Sequence, residues 1–343
     1  MRQNSTLKSD PNVRVQLTVD LDKPGLQTGD IMLRWSDNLC PLGYHSSPVI
    51  KLGHNSHPSI LMIGGVHGDE FEGPAALMQL ARSLRQEELS GRIIILPACN
   101  RPAISASSRV SPLDGENLNR AFPGNPSGGP TAMLAHFLET SLIPMCDAVI
   151  DLHSGGKASV FQPCTLVTQT ESTELFQRNL DLAYAFGLPL IWLLGDFNDA
   201  RSMNTAAARN AIPMIAAELG GGGGVDPTIV EQATTGLKRC LAKLGILEQR
   251  QKHAQMNNPL AVEINDARQN LYSSGRGLFQ RKFQAGEFVE EKQCAGILHY
   301  LDEPERPSAE ILFPKAGFVL AHTNRGMVTR GDLLALVASV AAL

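Results

Sequence analysis

Between residue 46 and about residue 250, short and almost wholly apolar runs alternate with stretches whose apolar residues recur every three or four positions. A strand covered on both faces reads as an unbroken Val/Ile/Leu run, whereas a helix lying on a sheet needs only one apolar stripe. The pattern therefore predicts an α/β fold, a largely parallel sheet joined by crossover helices. Strands are expected over SILMIGG (59–65), RIIILPA (92–98), AVIDLH (148–153), LPLIWLLG (188–195) and PMIAAE (213–218). Pro74, suited to a first turn, precedes Leu77, Leu80, Ala81 and Leu84 at helical spacing. A second helix is expected from the N-cap pair Asp226–Pro227 through Ile229, Ala233, Leu237, Leu241 and Leu244 to a stop at Gly245.

After residue 257 the texture changes to short β-like runs broken by glycine, without helical periodicity, which predicts a small all-β module. Its two halves echo each other, AGEFVEEKQCAGIL against RGMVTRGDLLALV, as a duplicated hairpin would. The chain of 343 residues exceeds what one hydrophobic core usually serves. The expected division is a catalytic α/β domain over 1–256, with a β extension over 1–45, and a C-terminal β domain over 257–343.

Composition changes this picture only by exclusion. A formal charge of -4 without a basic run removes the attraction to phosphate backbones that nucleic-acid binders need. Six scattered cysteines with no CxxC pair read as reduced thiols. The N-terminus lacks the apolar stretch of a signal peptide, and no run approaches the roughly 20 apolar residues that cross a bilayer. A cytoplasmic location is expected, with neither membrane nor nucleic acid as partner, and with room left for a homo-oligomer.

The chemistry gathers at strand ends. GGVHGDEFEG puts His67 and Glu70 three residues apart just after the first strand, and AVIDLH delivers His153 to the end of another. Ligands of open α/β sheets bind outside the carboxyl ends of the strands. Alone, either histidine is more often a satisfied structural residue, and HxxE arises often by chance; joint placement at strand ends is what singles them out. Two imidazoles and a carboxylate are the donor set of catalytic zinc, of which carboxypeptidase A is a standing example, and one ion per chain is expected. Amide hydrolysis also needs a carboxylate that moves the water's proton to the leaving amine. Glu218 fits, since it ends a buried strand and precedes five glycines, 220–224; a partner for a buried arginine is the plainer alternative. The long segment 100–126 reads as a functional loop, in which Arg109 and Arg120 are either surface charges or a clamp for a carboxylate.

In order along the chain, HGDE (67–70), NLNRAFPG (117–124), DLHSGG (151–156) and AELGG (217–221) resemble the succinylglutamate desuccinylase and aspartoacylase family, relatives of the zinc carboxypeptidases. GPAAL, SPLDGENLNRAFPG and DLHSGG look most like its N-acetyl-diaminobutyrate deacetylase branch. The resemblance implies a zinc-carboxypeptidase-like sheet, zinc on His67, Glu70 and His153, and Glu218 as general base and acid. It also implies that Arg109 stabilises the oxyanion and that Asn119 and Arg120 hold the substrate carboxylate. Asn117 stands where relatives often carry an Asp that orients a ligand histidine. The C-terminal region resembles a biotinyl- or lipoyl-type barrel-sandwich, but the hairpin HYLDEPERPSAE (299–310) has no carrier lysine, which favours a structural or lid role. The activity so implied is deacylation of a small N-acyl amino acid. A peptide carboxypeptidase and a noncatalytic binding protein are the competing readings.

Overall fold

The structure is a computed structural model and describes residues 14–38, 40–54, 56–195, 198–248 and 259–342. In chain order, its first part comprises β1 (Val15–Leu17), β2 (Gln27–Leu33), β3 (His45–Gly53), β4 (Ser59–Gly64), α1 (Glu72–Ser83), β5 (Arg92–Leu96), α2 (Arg101–Ala106) and α3 (Pro130–Phe137). Next come β6 (Ala148–His153), β7 (Ser159–Phe161), β8 (Cys164–Thr168), α4 (Thr173–Phe186), β9 (Leu190–Leu194), α5 (Met203–Arg209), β10 (Met214–Glu218) and α6 (Pro227–Lys243). They share one 15-stranded sheet ordered β1-β2-β3-β5-β4-β6-β10-β8-β9 and onward into the C-terminal segment. Neighbours β5, β4, β6 and β10 run parallel, β8 enters antiparallel to β10, and β9 is parallel to β8. The fold is a mixed α/β sheet, parallel through its central strands β5, β4, β6 and β10, flanked by helices.

Period-2 alternation divides each central strand between two cores. Ile60 and Met62 of β4 pack in one cluster with α1, α4 and α6, while Leu61 and Ile63 pack in the other with α3 and α5. Near-continuous apolar runs are needed for this, which is why these strands were readable. The helix signals also hold: Asp226 accepts from the N–H groups of Thr228 and Ile229, and Gly245 after the helix has φ 70°. The segment 100–126 differs from a plain loop. Residues Arg101–Ala106 form α2, with proline in its first turn and Ser107 closing it at φ 46°, a helix too short to show a periodic stripe.

The expected boundary near 257 lies outside the described residues. Beyond it are β11 (Leu260–Glu263), β12 (Leu271–Tyr272), β13 (Gly277–Arg281), β14 (Phe288–Val289), β15 (Cys294–His299), β16 (Ala309–Leu312), β17 (Gly317–Thr323), β18 (Met327–Val328) and β19 (Leu333–Val340). β11 lies parallel to β9 and antiparallel to β19, so the main sheet continues through β11-β19-β17-β14. A second sheet, β16-β15-β13-β18, faces it across a core that includes Phe279, Phe283, Phe313 and Val337. The sequence echo has a structural counterpart. Each half supplies a two-residue strand, a turn and a longer strand, with the short and long strands in opposite sheets.

Candidate metal centre and active site

Alternation along β6 sends Val149, Asp151 and His153 to one face, and along β10 it sends Met214, Ala216 and Glu218 to the same face. The two strands are parallel neighbours in a register that sets Glu218 directly beside His153. His67 follows β4, the neighbour of β6 on its other side. Its loop rests against α2 so closely that a Cβ on Gly68 would stand 1.9 Å from the Ala103 carbonyl carbon. Only glycine permits that approach. Three strand ends thus bring His67, Glu70, His153 and Glu218 to one place.

The donor atoms of His67, Glu70 and His153 all lie within 4.8 Å of one another, and all three residues are buried. His67 Nε2 is 3.0 Å from Asn117 Oδ1, an oxygen that also accepts the Asn119 backbone N–H. His153 Nε2 is 2.8 Å from Asp151 Oδ2. Both partners are acceptors, so each Nε2 carries the hydrogen, a tautomer assigned from these contacts. In the neutral rings the Nδ1 lone pairs then face carboxylate oxygens, at 2.8 Å from Glu70 Oε1 for His67 and 2.9 Å from Oε2 for His153. Acceptor facing acceptor is stable only with a cation between them, either a proton or a metal ion. The donor set, and the outer hydrogen bonds that aim both rings, fit a zinc ion.

Charge preferences agree. Burial works against a His153 imidazolium, but the carboxylates of Asp151 and Glu70 outweigh it and hold the pKa well above the ordinary histidine value. Burial also works against the Glu70 carboxylate, and the two imidazoles overturn it, bringing that carboxyl far below its usual range. Glu218 goes the other way. Burial first, and the nearby Glu70 charge second, push it up to about 8, and its Oε2 is buried without a hydrogen-bond partner among the described residues. A cation held by the triad would draw Glu218 back down.

A cavity of about 500 Å³ opens over these groups. Arg109 lines it with Nη1 3.2 Å from Glu70 Oε1. Asn119 lines it too; its Oδ1 accepts the Met203 N–H, so its amide hydrogens remain as donors. Arg120 projects into the same space, with Nε 3.0 Å from Asp199 Oδ2. All seven residues singled out in the sequence therefore border one cavity.

Further residues complete the site. Asp151, two positions before His153, was open to the same alternation argument. Trp192 of β9, Asp199 and the C-terminal Ile264, Asn270 and Leu336 also line the cavity, and only tertiary structure brings them. The C-terminal segment is tied down nearby. β17 pairs antiparallel with β7, and Asn324 Nδ2 donates to Lys157 O at 3.2 Å and to Gly222 O at 3.5 Å. The 100–126 segment is held from the other side, by Lys157 Nζ donating to Ser107 O.

A mixed sheet, parallel at its centre, with two imidazoles and a carboxylate converging at its strand ends is a zinc-carboxypeptidase-like arrangement. The chain belongs to the succinylglutamate desuccinylase/aspartoacylase family, whose catalytic-domain profile matches residues 56–244. It is 32% identical, over 95% of both chains, to the N-alpha-acetyl-L-2,4-diaminobutyric acid deacetylase of Halomonas elongata. Its structure is similar to that of a succinylglutamate desuccinylase/aspartoacylase from Rhodobacter sphaeroides, at 34% identity and TM-score 0.89, covering 96% of this chain and 100% of that one. It is also similar to product-bound EutE (DoeB), an ectoine utilization protein of Ruegeria pomeroyi, at 31% identity and TM-score 0.90, covering 95% and 99%.

Proposed function

We propose that this chain is a zinc-dependent amidohydrolase that removes the acyl group from a small N-acyl amino acid, with Nα-acetyl-L-2,4-diaminobutyrate as the first substrate to test. The observation that carries the reading is the pair of histidines fixed through Nε2 so that both Nδ1 atoms face the Glu70 carboxylate, with Glu218 in register beside one of them. The diaminobutyrate deacetylase at 32% identity supports the substrate class. Among the described residues no helix is long and apolar enough to cross a membrane.

His67, Glu70 and His153 would hold the zinc ion, which when bound would supply Lewis acidity to a water and to the scissile carbonyl. Glu218 takes the proton from the attacking water and returns it to the leaving amine. Its burial with one unpartnered oxygen leaves it free for that exchange. Arg109 donates to the carbonyl oxygen as negative charge develops there. Asn119 and Arg120 hold the substrate carboxylate through the amide hydrogens and the guanidinium fork. The C-terminal β segment acts as a wall that shortens the cavity, because Ile264, Asn270 and Leu336 border it and β17 is anchored to β7.

The test is a hydrolysis screen of the purified protein against Nα-acetyl-L-2,4-diaminobutyrate, N-acetylaspartate and N-succinylglutamate, following release of free amine. Turnover of at least one of them is expected, with the acetyl diaminobutyrate preferred. No release from any small N-acyl amino acid, in the presence of added zinc, would contradict the reading.

A further inference from the structure

The carboxylate clamp contains a residue that no substrate needs to touch. Arg120 has five N–H groups, and two of them are committed within the protein. Nε lies 3.0 Å from Asp199 Oδ2, and Nη1 donates to Asn119 O at 2.6 Å. A guanidinium can grip a carboxylate side-on through Nε and one Nη, or end-on through both Nη atoms. Asp199 occupies the side-on edge. The end-on edge, with one hydrogen on Nη1 and both on Nη2, is what remains to meet a ligand.

Asp199 cannot itself serve as a ligand-binding anion, because its oxygens are already taken. Oδ1 accepts from Arg201 N at 2.8 Å and Arg201 Nε at 3.1 Å, and Oδ2 accepts from Arg201 Nη2 at 3.0 Å besides Arg120 Nε. Arg201 matters for the charge balance as well. Arg120 and Asp199 alone sum to zero, which would cancel the pull on an incoming carboxylate. With Arg201 the trio keeps a net charge of +1. The backbone supports the same placement: Phe122 N donates to Arg201 O at 3.2 Å and Met203 N to Asn119 Oδ1 at 2.9 Å. The segment leaving β9 is thereby stapled to the 117–122 turn on both sides of Arg120.

We propose that Asp199 is a positioning residue for substrate recognition: it holds Arg120 by Nε so that the end-on edge of the guanidinium faces the cavity, while Arg201 preserves the positive charge of the clamp. This inference rests on the reading of Arg120 as the carboxylate-binding residue. Strong hydrogen bonding from Arg201 keeps Asp199 ionised, its carboxyl lying at about 2, so the arrangement persists at neutral pH.

Charge and orientation predict opposite signs for one substitution. Asp199→Asn raises the trio from +1 to +2, which by charge alone tightens binding of a carboxylate. By orientation it loosens binding, since the Nε partner loses its charge and either face of the amide can turn to the guanidinium. The experiment is steady-state hydrolysis of Nα-acetyl-L-2,4-diaminobutyrate and of its α-carboxamide by wild type, Asp199→Asn, Arg120→Lys and the double variant. The expected result is a KM about ten- to a hundredfold higher for Asp199→Asn on the acid, with kcat within about twofold. On the carboxamide, whose carbonyl oxygen still accepts from Arg120 but carries no charge, the rise in KM for Asp199→Asn should be smaller than on the acid. The double variant should be no worse than Arg120→Lys alone, because Lys has no Nε edge to hold. An unchanged or lower KM for Asp199→Asn on the acid overturns the proposal, as does a fully additive double variant. Should Asp199→Asn not fold, Asp199→Glu and the Arg120→Lys comparison still decide it: Asp199→Glu is expected to raise KM less than Arg120→Lys, and a larger rise overturns the proposal. If wild type itself does not distinguish the acid from the carboxamide, the assignment of Arg120 to the substrate carboxylate has failed instead.

Discussion

Glu218 sits at the end of a strand whose other residues are Met, Ile and Ala, and it has one oxygen with no partner among the described residues. An unsatisfied buried acceptor destabilises the fold by about 1–3 kcal/mol, and Asp69 and Asp151 each carry one as well. Replacing Glu218 by Gln should leave metal content unchanged and lower kcat by about 10² to 10⁴ fold, the usual contribution of positioned proton transfer. Near-normal kcat in that variant, with zinc still bound, would move the proton shuttle to another group. The same residue gives a pH prediction for the metal-free protein. Its carboxyl is raised from 4.5 to about 8 on folding, so the unfolded chain releases the proton first as pH rises. The stability it contributes is complete below the unfolded value and is lost progressively toward the folded one. Urea melts of chelator-treated protein should therefore weaken between about pH 5 and 8, and Glu218→Gln, which cannot ionise, should flatten that slope. Parallel slopes in the two proteins would contradict the assignment of the raised carboxyl to Glu218.

At the scale of elements, strands that pack on both faces were the most legible. β4, β5, β6, β9 and β10 announce themselves as apolar runs because all their positions are buried except Trp192 and Glu218, which are half-buried and line the cavity. β8 was not expected: CTLVT mixes threonine into a short run, and its antiparallel entry between β10 and β9 depends on partners far along the chain. His67, Glu70, His153 and Glu218 were legible because strand ends in such sheets converge by rule. Asp199 and Asn270 were not, because loops and a distant β segment place them. The loop carrying His67 and Glu70 packs closely on α2, and Gly68 N donates to Ser108 O at 2.9 Å. Gly68→Ala should push it away from α2 and lower stability by about 1–3 kcal/mol, with activity falling further than stability because both donors shift. Thermal melts and kcat measured together check this. An alanine variant with wild-type activity would mean that the loop has room that the 1.9 Å approach denies.

Across the whole molecule, the main sheet runs from the N-terminal strands into the C-terminal β segment without a break in pairing. The loops 154–161 and 220–222 are tied to the C-terminal segment through β7 with β17 and through Asn324. Leu336 and Asn270 lie on the wall of the cavity, so a peptide extended on the acyl side meets the C-terminal segment. N-acetyl amino acids should be cleaved and tripeptides rejected, with kcat/KM lower by at least about a hundredfold for the peptides. Comparable cleavage of tripeptides would show that the wall does not limit substrate length.

The central claim joins one metal ion to one hydrolytic site, and a zinc titration of chelator-stripped protein tests both at once. Amine release from Nα-acetyl-L-2,4-diaminobutyrate should be near zero without metal, rise in proportion to added zinc and level off at one equivalent per chain. Full activity in the stripped protein, or a failure of added zinc to restore any, would contradict the account.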